Sequence, residues 1–394
     1  NDIYELTIVA NAQAHSYDYD AVANREVADG ITYVPNNLNQ YTSVGGATYL
    51  YDNNGNLTIL QDAKGNITEF NYDSVDKLIK VRNPLGKEKF FFYDQNRNLA
   101  RVITEKGQAI NYIYDDSNRL IRKKLPEGIV SYTYDNAGNL ISVTGSNTNL
   151  EYGYDRADRL ISVHTHSPQP ETAISYQYDL NGNRTRLTYP DSTYITYEYD
   201  GLNRLIRMND QSSAQIAIYG YDALSRRTYL KYLNQVTTTN TYDALSQLTS
   251  IKNLYRNVVQ GVYDSDTYTY TYDRSGNRLT RKLDTLTPET YTYDNLYKLT
   301  NVVYPDLRSS TYNYDSLGNR TTVIDGAITT NYASNNLNQY TQVNGAPYTY
   351  DDNGNLLSIA TNSYSYDSEN RLTSSLRGGG GAADEAIYTY DPFG

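Results

Sequence analysis

The chain has 394 residues, with 34 Lys and Arg against 45 Asp and Glu, which gives a formal net charge of −11. It contains 45 tyrosines but no cysteine and no tryptophan. The lack of cysteine excludes a disulfide framework and any thiolate site, and the acidic balance disfavours nucleic acid as a partner. No apolar run approaches the roughly 20 residues of a membrane-spanning helix.

A repeat built on the dipeptide Tyr-Asp fills the chain. Successive copies are mostly 20 to 22 residues apart, and a fixed period of this size is typical of repeat architectures. The tyrosines that begin the clear copies are Tyr51, Tyr72, Tyr93, Tyr114, Tyr134, Tyr154, Tyr178, Tyr199, Tyr221, Tyr242, Tyr272, Tyr293, Tyr314, Tyr350 and Tyr366.

Irregular copies occur before the clear ones and in the two longest gaps between them. Tyr17 and Tyr19 each precede an aspartate and are interpreted as a degenerate copy of the repeat. Tyr263, which precedes an aspartate, and Tyr332, which precedes an alanine, are interpreted as degenerate copies that fill the two gaps. No stretch of the chain resembles a second domain or a long linker.

The residues around each Tyr-Asp pair predict a β-hairpin. Another aromatic residue lies two positions before the tyrosine in fourteen of the fifteen clear copies, which is the period-2 alternation of a strand. The residue four positions after the tyrosine is Gly, Asn or Asp in eleven copies, and these types tolerate the positive φ of a tight turn. The aspartate is expected to accept hydrogen bonds from backbone N–H groups of the turn. Each repeat is therefore predicted as strand, tight turn, strand and looser return.

The candidate site residues are structural ones. They are the tyrosine and aspartate of the turn and, in some copies, its glycine: Tyr51, Asp52, Tyr72, Asp73, Tyr134, Asp135, Gly138, Tyr199, Asp200, Tyr272, Asp273, Gly276, Tyr314, Asp315, Gly318, Tyr350, Asp351 and Gly354. No nucleophile, base or metal set stands apart from the repeat columns. We therefore predict no catalytic residue, no metal ligand and no cofactor, and hence no enzyme.

The predicted fold is all-β, because no segment shows sustained helical spacing of apolar residues. About seventeen hairpins make more than thirty strands, and open sheets much beyond about ten strands curl, split or close. Tandem hairpins are therefore expected to form one long antiparallel sheet that coils into a spiral or hollow shell. We expect a degenerate entry segment over residues 1–32 and the repeat array over residues 33–394.

Several copies resemble the Rhs/YD-repeat family. They include YTYDNAGNLISV at 132–143, YEYDGLNRLIRM at 197–208 and YSYDSENRLTSS at 364–375. The family comprises bacterial Rhs proteins, the C components of insecticidal toxin complexes and the teneurins. The segment from Tyr388 to Gly394 is similar to the repeat of this family at which the core region begins, so the core and any effector are expected to lie outside this sequence.

The resemblance implies a fold and a function. In this family the repeats wind into a hollow β-shell, which in the bacterial toxins encloses a C-terminal effector that is released after self-cleavage. In the teneurins the shell is a cell-surface scaffold used in adhesion. The expectation for this chain is a non-catalytic shell wall in a secreted or surface-exposed bacterial toxin-like protein. Its partner would be an encapsulated C-terminal effector or another segment of the same polypeptide.

An adhesion scaffold is the alternative function. Rows of tyrosine rings on its outer face would then bind carbohydrate or a surface protein. Cross-strand packing explains the same rows without a ligand, because aromatic pairs stabilise sheets by about 0.2–1 kcal/mol each. A cage predicts a compositionally distinct tail after the repeats, whereas an adhesin predicts anchoring or lectin-like modules before them.

Adjacent acids are the first candidates for catalysis. The pairs are Asp115 with Asp116 and Asp351 with Asp352, and two carboxylates with separated pKa values could catalyse hydrolysis. Turn capping is the preferred interpretation, because the first aspartate is present whether or not a second one follows. The Asp-rich turns also resemble calcium loops weakly, but they lack a bidentate glutamate at the twelfth position.

The pair His164 and His166, with Glu171 downstream, is the candidate for metal binding. Two histidines at i and i+2 of a strand lie on one face, as a metal site needs. The pair falls in an irregular insertion, so a surface loop without metal is the preferred interpretation. The glycine run 378–381 is interpreted as a loop, since no Lys-Ser/Thr follows it.

Overall fold

The computed structural model describes residues 8–9 and 15–391, apart from 146–147, 167–170, 257–262 and 379–383. Its regular elements are 38 β-strands. No helix among these residues is long and apolar enough to cross a membrane.

The strands in chain order are β1 (Ile8–Val9), β2 (His15–Tyr19), β3 (Arg25–Ala28), β4 (Ile31–Pro35), β5 (Tyr41–Val44), β6 (Ala47–Tyr51), β7 (Leu57–Gln61), β8 (Ile67–Tyr72), β9 (Leu78–Arg82), β10 (Glu88–Tyr93), β11 (Leu99–Ile103), β12 (Ala109–Tyr114), β13 (Leu120–Leu125), β14 (Gly128–Tyr134), β15 (Leu140–Thr144), β16 (Asn149–Tyr154), β17 (Leu160–His166), β18 (Thr172–Tyr178), β19 (Arg184–Thr188), β20 (Tyr194–Tyr199), β21 (Leu205–Asp210), β22 (Gln215–Tyr221), β23 (Arg227–Tyr232), β24 (Thr237–Tyr242), β25 (Leu248–Arg256), β26 (Tyr263–Tyr272), β27 (Arg278–Leu283), β28 (Glu289–Tyr293), β29 (Leu299–Val303), β30 (Ser309–Tyr314), β31 (Arg320–Asp325), β32 (Ile328–Ser334), β33 (Tyr340–Val343), β34 (Ala346–Tyr350), β35 (Leu356–Ile359), β36 (Asn362–Tyr366), β37 (Leu372–Leu376) and β38 (Glu385–Ile387).

The sheet is a continuous meander. Every strand pairs antiparallel with the strand that follows it in the chain. All Tyr-Asp turns therefore lie along one edge of the sheet, here called the YD edge, and all other turns lie along the opposite edge, here called the return edge. The prediction of a long antiparallel sheet of tandem hairpins is confirmed.

The turn after Tyr134 illustrates the YD edge. The N–H of Gly138 donates to the carbonyl of Asp135 at 3.2 Å, and Gly138 has a φ of 96°. Tyr134 pairs with Leu140 while the preceding residue pairs with Ser142. One residue is therefore extra in the second strand, and such a bulge increases the local twist.

The return edge differs from the prediction of looser loops. The N–H of Gly65 donates to the carbonyl of Asp62 at 2.9 Å, in the same four-residue pattern as the YD turns. The ranges that share this pattern are 62–65, 83–86, 104–107, 189–192, 210–213, 232–235, 283–286 and 304–307. A continuous meander explains the resemblance, because both edges must reverse the chain between adjacent antiparallel strands.

Two degenerate copies were interpreted incorrectly from the sequence. Tyr263 is not part of a turn, because it lies in β26 and pairs with Arg256 of β25. Tyr332 does belong to a repeat, but Ser334 closes the strand and Asn335 begins the turn. The 30-residue gap therefore holds one long hairpin, and the second copy is shifted by two residues.

The two faces of the sheet differ in burial. On β12, Ile110 is buried whereas Ile113 on the opposite face is 45% exposed. The face that carries the tyrosines, here called the tyrosine face, also carries the buried cluster around Val143, which includes Leu125 and Val130. Leu125 and Val130 also line a cleft together with Tyr366 and Tyr390 of distant strands, so the coiling of the sheet contributes to the burial of the cluster.

The sheet coils far enough to meet its own return edge. Lys64, which follows β7, forms an ion pair with Asp315, which follows β30, so 23 strands separate the two partners. Glu127, which follows β13, accepts a hydrogen bond from Ser368, which follows β36 and lies again 23 strands further along. The predicted spiral is thereby confirmed, and the contact between these edges is here called the seam.

A glycine pair tests the turn geometry. Gly138 has a positive φ, whereas Gly201 does not, and a Cβ added at either position has nothing within 4 Å. We expect Gly138→Ala to lower the free energy of unfolding by about 1 kcal/mol because of backbone strain alone. Gly201→Ala should be neutral or slightly stabilising. Equal effects of the two substitutions in urea unfolding would contradict the strain argument.

Candidate functional site: the junctions between repeats

The site residues predicted from the sequence occupy three fixed positions in their hairpins. The seven tyrosines named above are the last residues of β6, β8, β14, β20, β26, β30 and β34. The aspartate that follows each one begins the turn. The glycines among them, for example Gly276 and Gly354, have positive φ four positions after the tyrosine.

The tyrosine hydroxyl links one repeat to the preceding one. The hydroxyl of Tyr134 donates to the carbonyl of Leu120 at 2.8 Å. The pairing of β13 with β14 begins only at Arg122, opposite Ser131, so the carbonyl of Leu120 lies beyond the ladder on that side. The hydroxyl therefore replaces a missing strand-to-strand hydrogen bond, and this supplies the partner that a half-buried tyrosine needs.

This bond, here called the tyrosine link, recurs along the sheet. The acceptor is the carbonyl of the residue six positions after the tyrosine of the preceding copy in most repeats. The donors are Tyr93, Tyr114, Tyr134, Tyr154, Tyr178, Tyr199, Tyr221, Tyr242, Tyr272, Tyr293, Tyr314 and Tyr390. The sequence analysis did not identify this bond or its acceptor.

The aspartate binds the backbone of its own turn. One carboxylate oxygen of Asp52 accepts from the N–H groups of Asn54 and Asn56, both at 2.9 Å, and the other accepts from the Asn56 amide at 3.1 Å. The hydrogen bond from the Asn56 side chain lowers the pKa of Asp52 below its ordinary value. The carboxylate is therefore held ionised by the fold.

The residue five positions after the tyrosine joins neighbouring turns, which sequence reasoning missed. In the asparagine copies its amide also reaches the next turn, as Asn183 does by donating to Asn203 at 2.8 Å. In the arginine copies the side chain donates instead to the backbone of the next turn, as Arg204 does to the carbonyl of Asp222 at 3.1 Å. Arg204 also lies over the ring of Tyr221, 4.9 Å from its centroid.

The two kinds of junction follow a pairing rule. Asparagine reaches an Asp or Asn at the positive-φ position of the next turn, in the pairs 24–39, 56–76, 98–118, 139–158, 183–203, 319–338 and 355–370. The arginines at 119, 159, 204 and 226 are followed there by Gly or Ser. The short amide needs a side-chain acceptor, whereas the longer guanidinium reaches the backbone. A comparison of columns one repeat apart would have revealed this signal.

The candidate acid pairs do not form catalytic pairs. Asp115 accepts from the N–H and the Nε of Arg119, at 2.9 and 2.8 Å. Asp351 binds the Lys106 ammonium at 3.1 Å, while its neighbour Asp352 binds Lys87 at 2.9 Å. Each of these three carboxylates has a cationic partner of its own. These contacts are structural, and the fold lowers the pKa of Asp115 and Asp351.

The histidine pair lies in a strand rather than in the predicted loop. His164 and His166 are both in β17, with nearly parallel rings 6.5 Å apart. The Oε1 of Glu171 is 3.6 Å from the Nδ1 of each. Among the residues that the structure describes, no group of three or more His, Cys, Asp or Glu side chains is arranged to hold a metal ion.

The glycine run 378–381 lies mostly outside the described residues. A cleft of about 530 Å³ lies at the seam, with Glu127, Asp367, Arg371 and Tyr390 in its lining. The carboxylate of Asp367 is engaged by its own turn and by Arg371 at 2.7 Å. The cleft therefore belongs to the contact between the two edges of the sheet.

Two family profiles match this chain. The RHS repeat profile matches residues 114–150, and the teneurin YD-shell profile matches residues 141–225. Both segments consist of the hairpins and junctions described above. The resemblance to the Rhs/YD-repeat family is confirmed.

Solved structures of Tc toxins share the fold of the YD-repeat chain. A TcdB2–TccC3–Cdc42 structure is 16% identical in sequence and has a TM-score of 0.71. The match covers 97% of this chain and 26% of the chain in that structure. A Photorhabdus luminescens Tc holotoxin pore with a substitution in TccC3 is 15% identical in sequence and has a TM-score of 0.69. The match covers 96% of this chain and 25% of the chain in that structure. This chain thus spans about a quarter of those chains. No curated protein matches it in sequence.

Repeat type and fold together support a structural role as part of a β-shell. The comparisons give no support to a carbohydrate ligand. The site residues therefore act on the chain itself, by closing turns and joining repeats.

The tyrosine link can be tested with a hydroxyl deletion. We expect Tyr134→Phe to lower the free energy of unfolding by about 1 kcal/mol, because the carbonyl of Leu120 loses its hydrogen bond. The matched control is Tyr263→Phe, since the Tyr263 side chain is 60% exposed at the start of β26. Urea unfolding monitored by circular dichroism gives both values, and equal values would contradict the role of the link.

The pairing rule predicts a compensating substitution. Arg204→Asn should destabilise the chain by about 1 kcal/mol, because a short amide facing Ser225 loses the bond to the backbone of the next turn. Adding Ser225→Asn should restore most of the loss, since residue 225 then supplies the acceptor and its φ of 62° suits asparagine. Ser225→Asn alone is the control, and a failure of the double variant to recover would contradict the rule.

Asp315 predicts a pH dependence of stability. Partial burial raises its pKa, but hydrogen bonds from Lys64 and Asn319 outweigh this and lower the pKa to about 2, from an ordinary value of 3.8. A lowered pKa stabilises the fold above the unfolded-state value, so this stability should be lost as the pH falls from about 4 to about 2. Urea unfolding of the wild type and Asp315→Asn over this range should show a steeper loss in the wild type. Parallel curves would contradict the assignment.

Proposed function

We propose that this chain forms part of the wall of a shell that encloses a segment of its own polypeptide, in a secreted toxin-like protein. The observation that carries the proposal is the seam, where a single-layer sheet completes a turn and meets itself. A sheet that closes in this way surrounds a space without needing a second layer.

The size of the turn supports enclosure of a chain segment. At about 4.8 Å between strands, 23 strands give a circumference of about 110 Å and a diameter of about 35 Å between backbones. Side chains from the wall narrow this space by about 10 Å. The remaining width admits an extended or partly folded polypeptide.

The chemistry of the wall supports a non-catalytic role. The turn carboxylates bind backbone N–H groups or cations, as Asp115 and Asp351 do. General acid–base catalysis requires groups whose pKa lies near the working pH, whereas the fold lowers the pKa of both carboxyls. We infer that the chain contains its cargo and leaves any chemistry to other segments.

An adhesion scaffold on a cell surface is the second candidate. The match of residues 141–225 to the teneurin YD-shell profile favours it. In that case the outside of the wall binds a partner protein, and the enclosed space holds no effector.

One experiment on the full natural polypeptide distinguishes the two functions. Electron cryomicroscopy should show density inside the spiral, and protease treatment of the intact particle should spare that segment. The protected segment should become cleavable when the wall is unfolded in urea. An empty interior together with complete cleavage in the native particle would refute containment and leave the scaffold.

A further inference from the structure

Ion pairs join the two edges at the seam. On the return edge, Lys87 and Lys106 bind Asp352 and Asp351 of the YD edge, at 2.9 and 3.1 Å. Lys123 binds Glu369 at 2.7 Å, and this lysine is largely buried. A buried ammonium without a partner is costly, so these contacts favour particular turns rather than any turn.

The lysines at the seam are distinguished by their contacts. Lys64, Lys87 and Lys106 lie in or directly beside the return turns over residues 62–107, and each forms an ion pair with the YD edge. Lys231 and Lys282 also lie directly beside return turns, so positive charge on the return edge is not confined to the seam. The alignment therefore depends on the contacts of individual residues.

Glu127 distinguishes one alignment from its neighbours. It is the acid of a return turn, and its Oε1 accepts from the N–H and hydroxyl of Ser368 at 3.2 and 2.9 Å. Ser368 is 2% exposed. The preceding YD turn has Asp352 at the same position. A shift of one repeat toward that turn would therefore place a carboxylate against the carboxylate of Glu127, and like charges repel.

The exposure of the YD edge shows where this contact begins. The residue three positions after the tyrosine is exposed in the turns before the seam, with Leu202 at 68%, Leu245 at 70% and Leu296 at 49%. The residue at the same position is partly buried in the seam turns, as Leu317 and Glu369 are. The seam thus starts between the turns of Leu296 and Leu317.

We propose that this charge pattern fixes the alignment of the seam, and thereby the number of strands in each turn of the wall. The inference rests on the shell-wall function proposed above. The turn that begins at Asp351 contacts the return turns of both Lys87 and Lys106, which lie 25 and 23 strands before it, so a shift by one repeat changes each count by two. One such step changes the circumference by about 10 Å and the diameter by about 3 Å. Ser368 and the lysines are thus the residues that determine the width of the enclosed space.

Spin-label distances across the seam test the proposal. The chain has no cysteine, so Ala63→Cys and Thr349→Cys provide two unique label sites, one on each side of the seam. A shift by one repeat moves the second label by about 10 Å along the edge. In the labelled chain, Ser368→Glu should replace the original distance with a shifted or broadened distribution. Adding Glu127→Lys should restore the original distance.

Ser316→Glu is the matched control. Ser316 has the same position in the turn that faces Lys64, so the new carboxylate meets a cation and the distance should stay unchanged. If Ser368→Glu keeps its β circular dichroism and its original distance, the proposal is wrong. If that variant loses its β signal, the exposed double variant Lys87→Glu/Lys106→Glu decides, and an unchanged distance there overturns the proposal.

Electron micrographs test the shell function separately from the alignment of the seam. An enclosed space in micrographs of a variant with an unchanged distance would refute the alignment role and leave the wall function intact. Micrographs of the wild type without an enclosed space would refute the wall itself.

Discussion

The structure depends on the hydrogen bond that most turn tyrosines donate to a backbone carbonyl of the preceding repeat. Within a hairpin the strands are held by their own ladder, but between hairpins the ladder ends before the YD edge is reached. The carbonyl of Leu120 lies in that gap, and the hydroxyl of Tyr134 fills it. Without this bond, each repeat boundary would leave a carbonyl dependent on water.

The same side chain explains how a single layer is stable. A tyrosine buries its ring on the tyrosine face and still satisfies its hydroxyl, so the sheet needs no second layer. The ring also receives the guanidinium of the junction arginine, as Tyr221 receives Arg204. Packing and hydrogen bonding thus meet at one residue per repeat, and this is why tyrosine rather than leucine or phenylalanine dominates the composition.

Acidic residues in this wall have structural roles at two scales. Asp52 holds its own turn, whereas Asp315 holds its turn and also binds Lys64 of a distant return turn. One residue type therefore sets both the local reversal and the closure of the spiral. The turns that reverse the chain locally are also the parts of the two edges that contact each other at the seam.

The sequence alone determined the hairpins, because their signals are local. The alternation of aromatic residues before Tyr134 and the glycine at 138 specify strand and turn within about ten residues, and the resemblance to YD repeats extended this to a coiled sheet. The sequence could not identify the acceptor of the tyrosine hydroxyl, because the acceptor is a backbone carbonyl and every residue has one. The strand position of His164 was also missed, since an irregular insertion resembles a loop until its pairing with neighbouring strands is seen.

Only the tertiary structure decided where the spiral meets itself. Lys106 and Asp351 are 245 residues apart, and nearly every turn offers a similar aspartate. Twist and curvature accumulated over 23 strands bring the YD edge back to the return edge, where the charges proposed above select among neighbouring turns. No local pattern encodes that sum, whereas each hairpin is encoded within its own repeat.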